Sequence, residues 1–315
     1  MRKRLLVGIP LAVLIIGLLL VDARLSARPA PEWRIPVLGH NLASWLKNGA
    51  ICATVVLVLT VAATHELVQL ARVRGYHPFG RTAQVFAIVL VLGPYISFNL
   101  KDVTGGYDES WGLLWLAFAV GFVFLQQAWQ RGTANVMENL AITLFIIFYA
   151  GGLAGFMTKL RMEVGGTAGV AVLLFSNFLV KIADTGAYFT GRVFGRRKMI
   201  EWLSPKKTWE GFTGGMLTTI VCALAIGHWL HASGVVRLEE RYVPHLVALG
   251  LLGVLLGLFS AAGDLCASLL KRDAAVKDSG QAFPGLGGVL DVLDSPLLAA
   301  PIAWLFWTRL FHIQL

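Results

Sequence analysis

Charge is scarce in this chain. Asp, Glu, Lys and Arg make up 14% of its 315 residues, against 57% hydrophobic ones and a mean hydropathy of +0.70, a balance that excludes an ordinary soluble domain. Acids are scarcer than bases, 18 against 27, which leaves a net charge of +9. That excess does not indicate a nucleic-acid partner, because the cations are scattered over loops between apolar segments. Cysteine is nearly missing: Cys52, Cys222 and Cys266 all lie in apolar stretches without CxxC spacing. This argues against a zinc site or a disulfide and for buried reduced thiols. The GxxxxGK[ST] order of a Walker A loop is absent, as are repeats of 20 to 50 residues, low-complexity tracts and any soluble domain.

The chain is instead dominated by long apolar runs. A bilayer core takes about 20 apolar residues per helix, and nine stretches qualify: roughly 5–21, 48–70, 82–100, 110–129, 136–158, 166–187, 211–231, 245–266 and 296–312. The expected fold is therefore all-α, a polytopic integral membrane protein of about nine transmembrane helices. The first run follows the basic start Met1-Arg2-Lys3-Arg4 and has no clear small-residue cleavage site, so it reads as an uncleaved helix. Placing that start inside sends Arg72, Arg74, Arg81, Arg192, Arg196, Arg197, Lys198, Lys206, Lys207, Lys271, Arg272 and Lys277 to the same side. Mixed or acidic clusters, such as Asp108 with Glu109 and Glu239 with Glu240, fall outside.

The first half, 1–165, reads as a transmembrane scaffold with little chemistry of its own. Residues 22–47, with three prolines and two tryptophans, read as an interfacial loop in which Trp33 and Trp45 suit the headgroup level. His65 and Glu66 are adjacent near the inner end of the second span and read first as polar residues of a helix end, with a catalytic role as the alternative. The connection Arg72–Arg81, punctuated by Gly75, Pro78 and Gly80, suits anionic lipid headgroups.

The second half, 166–315, is different and reads as the catalytic region. Lys181 and Asp184 stand at i, i+3 inside an apolar span, where a charge costs roughly 2.5–3.5 kcal/mol and so faces a polar cavity or a partner. A basic connection follows, with Arg192, Arg196, Arg197 and Lys198. Next comes Ser204-Pro205-Lys206-Lys207-Thr208-Trp209-Glu210-Gly211, which puts a hydroxyl and two lysines just before a helix start and so suits an anion. In the stretch 263–294, Asp264, Ser268, Lys271 and Arg272 fall at i, i+4, i+7 and i+8, on one helix face. Asp291 and Asp294 follow a glycine-rich turn at i, i+3. Carboxylates able to hold a hard divalent ion, beside cations and flexible backbone, are what a polyphosphate site requires.

These residues closely resemble the phosphatidate cytidylyltransferases, the CDP-diacylglycerol synthases. Ser268, Lys271, Arg272, Lys277, Asp278, Gly287, Gly288, Asp291 and Asp294 match that family's signature in order and spacing, within a resemblance that covers 181–294. Two positions depart from it: Leu286 stands where the family usually has histidine, and Val292 where it usually has arginine. The resemblance implies joining of CTP and phosphatidate into CDP-diacylglycerol and pyrophosphate. It also implies Mg²⁺ on Asp264 and Asp291, with a second cation left open. Lys271, Arg272 and Lys277 are then expected to grip phosphate oxygens, and Ser204, Lys206, Lys207 and Ser268 to complete the cradle. Lys181 and Arg192 belong to the same substrate-binding set, and Asp184 and Asp278 support the metal or orient the lysines. The expected partners are CTP, phosphatidate in the bilayer and membrane lipids. A homodimer is left open, and the expected location is the inner membrane of a bacterium with the site facing the cytoplasm. A CTP-dependent polyprenol kinase and a transporter are the alternatives.

Overall fold

The computed structural model describes residues 2–27, 36–37, 40–104, 110–238, 244–280, 282–283, 287–310 and 313–314. Among these residues, nine helical spans are long and apolar enough to cross a bilayer, in agreement with the expected all-α, membrane-integral fold. In chain order, α1 (Arg2–Ala27) leads to a ribbon of β1 (Pro36–Val37) and β2 (His40–Asn41), then the short α2 (Leu42–Lys47) and α3 (Ala50–Val73). Next come α4 (Gly80–Thr104), α5 (Trp111–Arg131) and a broken span of α6 (Val136–Ile146), a π-helical segment Ile147–Gly152 and α7 (Leu153–Val164). After α8 (Gly166–Phe194), strands β3 (Lys198–Ile200) and β4 (Ser204–Thr208) form a second antiparallel ribbon that feeds α9 (Trp209–Ala232). The chain closes with β5 (Arg237–Leu238), α10 (His245–Asp273), α11 (Val289–Leu305), a π-helical end at Phe306–Leu310 and β6 (Ile313–Gln314), which pairs with β5.

Several helix ends lie beyond the apolar runs. The sixth and eighth spans continue to Phe194 and Asp273, and the ninth begins at Val289 rather than near 296. Hydropathy stops at the first charges, but backbone hydrogen bonding does not. Lys271 and Arg272 in the last turn of α10, and Asp291 in the first turn of α11, have the signs that helix ends favour. Part of the expected interfacial loop is likewise helical, since α1 runs to Ala27 and α2 covers residues 42–47. Trp45 packs edge-on against Tyr95 with ring centroids 6.2 Å apart. Trp33 lies outside the described residues, as do Asp108, Glu109, Glu239 and Glu240.

Lipid offers helices little hydrophobic reason to associate, so close backbone packing carries much of the contact. Helices α8 and α9 meet in this way. A Cβ on Gly211 would lie 2.8 Å from the Ala187 carbonyl oxygen, and one on Gly215 2.6 Å from that of Ala183. Helices α10 and α11 do the same at Gly263, where a Cβ would lie 2.5 Å from the Asp294 carbonyl oxygen. Helix α11 also packs against α3 and α7, so the two halves of the chain share one bundle.

The bundle is tied to α1 by charge. Arg161 of α7 donates from Nε to Asp22 Oδ2 at 2.9 Å and from a terminal nitrogen to Ser26 Oγ at 2.7 Å. Both charged side chains are buried, at 2% and 0% exposure. Removing one member of such a pair strands the other in a low-dielectric interior and costs about 3–5 kcal/mol. Arg161→Leu should therefore lower the apparent Tm in detergent clearly, and adding Asp22→Asn should recover much of the loss. Thermal unfolding of the single and double variants measures both effects.

Candidate active site

The charges that the sequence spreads over 110 residues gather at one end of the bundle. A cleft of about 290 Å³ opens there between α8, the β3–β4 ribbon, α9 and α10. Asp184, Ser204, Lys206, Lys207 and Asp264 all line it. The ribbon is held by its neighbours. The Glu210 carboxylate accepts from the backbone nitrogens of Arg196 at 3.0 Å and Arg197 at 3.1 Å, and the Thr208 hydroxyl caps α9 by accepting from Gly211 N at 3.1 Å. Lys206 and Lys207 thus stand on a strand that runs directly into a helix N-terminus. Lys207 Nζ reaches across to Asp264 Oδ2 at 2.7 Å.

Behind this pair lies a second layer of polar groups. Asp184 accepts from Ser260 Oγ at 3.0 Å and from Ser295 Oγ at 3.4 Å. Lys181 is 3.8 Å from Asp294 Oδ1. Lys181 and Asp184, expected to face a polar cavity or a partner, lie within Coulombic reach of each other, and each also contacts a neighbouring helix. Asp184, Asp264 and Asp294 also lie within Coulombic reach of one another, with Lys181 and Lys207 as their nearby cations. Oxygen-only donors of this kind fit a hard divalent cation. Among the described residues, however, no three acidic, histidine or cysteine side chains already converge as a ligand set.

A separate knot forms where α11 begins. Asp291 Oδ1 accepts from Lys271 Nζ at 2.6 Å, and Oδ2 accepts from Ser279 N at 2.9 Å and Gly288 N at 2.9 Å. Ser279 Oγ lies 3.0 Å from the same Oδ2 and 2.9 Å from Glu66 Oε2. Glu66, buried on α3, accepts further from Val289 N at 2.8 Å and Leu290 N at 2.9 Å. The two carboxylates fill the space that side chains would need. A Cβ on Gly287, where φ is +96°, would lie 2.4 Å from Asp291 Oδ2, and one on Gly288 2.2 Å from Glu66 Oε2. The glycine pair is required because two acids press against its backbone.

The other predicted residues sit around these two groups. Ser268 is half-buried on α10, one turn beyond Asp264, while Arg272, Lys277 and Asp278 are exposed at and after the end of α10. Arg192 is exposed at the end of α8 and donates to the Tyr188 hydroxyl at 3.4 Å. Val292 is half-buried on α11, and Leu286 lies outside the described residues.

Comparison with known proteins bears on what this constellation is. The profile described as the cytidylyltransferase family matches residues 33–310, nearly the whole bundle and all of the site. The chain belongs to the cytidylyltransferase family. A phosphatidate cytidylyltransferase of Haemophilus influenzae is 36% identical over 203 residues, 63% of this chain and 66% of that protein, just under two thirds of its length. One of Mycobacterium bovis is 30% identical over 269 residues, 82% of this chain and 81% of the relative. One of Synechocystis is 28% identical over 296 residues, 86% and 92% of the two chains.

Glu66, bonded to Ser279 and to the start of α11 beside Asp291, reads from the sequence first as a polar residue of a helix end. Its local signal is only an acid beside His65 at a helix end, and its partners lie 213 to 224 residues away. Gly288→Ala must push the Glu66 and Ser279 side chains aside. It is expected to speed backbone amide exchange over residues 279–291 by about tenfold or more, the signature of local opening, as read by hydrogen–deuterium exchange.

Proposed function

We propose that the cleft between α8, the β3–β4 ribbon, α9 and α10 is where CTP and phosphatidate are joined, releasing pyrophosphate and forming CDP-diacylglycerol. The observation that carries this reading is the 2.7 Å bridge from Lys207 to Asp264, flanked by Ser204 and Lys206, in a chain of the cytidylyltransferase family. An ionised phosphate oxygen of phosphatidate forms a bond to the α-phosphorus of CTP as the bond to the β-phosphate oxygen breaks. No general base is needed, because the attacking oxygen is already charged near neutral pH. Both reactants are anions, so the protein's task is to place them together and offset their repulsion.

Lys206, Lys207 and Ser204 receive the triphosphate beside the N-terminus of α9. Lys207 exchanges Asp264 for phosphate oxygens as the nucleotide enters, which leaves the Asp264 carboxylate turned to the same space. Lys271 makes the corresponding exchange at Asp291, whose oxygens are all engaged until it does so. Arg272, Lys277 and Arg192 draw anions to the mouth from exposed positions. Asp264 and Asp291 would hold Mg²⁺, with Asp184 and Asp294 close behind; the ion would neutralise charge on the pyrophosphate leaving group.

Phosphatidate keeps its acyl chains in the bilayer, because each CH₂ withdrawn costs about 0.8 kcal/mol. The exposed Tyr188 and the neighbouring Phe212, both lining the cleft, form its lipid-facing lip. The basic connections gather at this end of the bundle, so the site faces the cytoplasm of a bacterium across its inner membrane. Surrounding lipids are partners by the same logic, and a homodimer is compatible with it. A CTP-dependent lipid kinase would release CDP and a phosphorylated lipid, which separates it from this reading by product alone.

Purified protein supplied with labelled CTP and phosphatidate should therefore yield labelled liponucleotide and pyrophosphate, and chelation of divalent cations should abolish the yield. Asp264→Asn and Asp291→Asn should each lower turnover by about 100-fold or more. Either variant turning over at the unaltered rate would remove that residue from the metal site.

A further inference from the structure

Glu66 lies on α3, far in sequence from the signature residues, yet its buried carboxylate contacts the start of α11 and the connection before it. One oxygen accepts from Val289 N, the other from Leu290 N, and Ser279 Oγ lies 2.9 Å from the latter. These are the first two amides of α11, the end where a helix presents partial positive charge. No salt bridge to Glu66 is found among the described residues, so amides and a hydroxyl take the place of a cation. The acid also touches the backbone of the connection at two glycines. A Cβ on Gly280 would lie 2.6 Å from its Oε1, and one on Gly288 2.2 Å from its Oε2.

Ser279 is bonded to both acids, and the Gly288 that holds Asp291 directly precedes the Val289 and Leu290 amides that Glu66 holds. Ser279 supplies both its backbone nitrogen and its hydroxyl to Asp291 Oδ2, and Gly288 supplies its nitrogen. Asp291 in turn holds Lys271 at 2.6 Å. Ser279 Oγ has one proton and stands within 3.0 Å of both acids, so it joins the two carboxylates in one network.

We propose that Glu66 is a positioning residue for the transfer reaction: it clamps Ser279 and the start of α11 to α3 and thereby aims Asp291 and Lys271 at the substrates. This rests on the function proposed above. It gives the scaffold half of the chain a defined part in catalysis without any contact to CTP or phosphatidate.

Glu66→Gln tests the clamp with almost no change of shape. An amide group in this place must turn an N–H toward one of the α11 amides, so one of the two backbone bonds is lost. Measured on the monodisperse, folded fraction, kcat should fall about tenfold or more while the KM for CTP stays within about threefold, because the nucleotide cradle on β4 is untouched. Ser279→Ala should give a similar loss, and the double variant little more than either single one, because both cut the same network. Hydrogen exchange of the Val289 and Leu290 amides should rise in Glu66→Gln, which reads the clamp without reference to turnover.

A wild-type kcat in Glu66→Gln, or losses that multiply in the double variant, would overturn the positioning role. Unchanged exchange at those amides would overturn the clamp itself. If Glu66→Gln does not fold, Ser279→Ala still decides, since it leaves both backbone bonds of Glu66 in place; a wild-type kcat there would refute coupling through the hydroxyl. Absence of liponucleotide from the unaltered protein would instead count against the proposed reaction, with the exchange result standing apart.

Discussion

Hydrocarbon solvates neither charge nor an unpaired backbone group, and every ionisable residue inside this bundle is placed under that constraint. Asp22 is met by Arg161, Asp294 by Lys181, Asp264 by Lys207 and Asp291 by Lys271. Glu66 is met by two helix-end amides and a hydroxyl, and Asp184 by two serines from different helices. Except for Asp22, these acids stand near one end of the bundle. A polar region can be kept in the membrane only if its members satisfy one another, and here that need draws acids, lysines and hydroxyls of several helices together.

Hydropathy makes the helices legible because lipid demands about 20 apolar residues in a row, and all nine runs became spans. It misplaces their ends for the same reason, since α8 and α10 continue past the ends of their uninterrupted apolar runs and α11 starts before its first long run. The site divides in a similar way. Ser204, Lys206, Lys207 and Asp264 were readable because each motif is local, and one cleft collects them. A polar surrounding for Lys181 was readable from the cost of a charge in an apolar span, but its contact with Asp294 on α11 was not. Glu66 was the least accessible, since nothing beside it in sequence hints at a helix start more than 200 residues on.

The departures from the family signature fall at informative places. Val292 is half-buried on α11, one residue from an Asp291 whose oxygens are already engaged by Lys271, Ser279 and Gly288. Loss of a cation at 292 therefore leaves the charge balance around Asp291 to Lys271. The conformation of the Gly287-Gly288 turn is likewise dictated by the acids packed against it.

The close seam between α8 and α9 has a mechanical corollary. With backbone against backbone at Gly211 and Gly215, and Gly191 only 3.1 Å by its would-be Cβ from Thr208 Oγ1, these two walls cannot part without losing contact along their length. Helix α10 also meets α9 by main chain, where a Cβ on Gly253 would lie 2.8 Å from Ile220 Cα, but one turn on, beside the cleft, Gly257 meets the sulfur of Met216, a flexible thioether. Beside the cleft, then, the stretch of α10 that leads to Asp264 rests on an adaptable side chain, whereas the α8–α9 wall opposite it is fixed main chain to main chain.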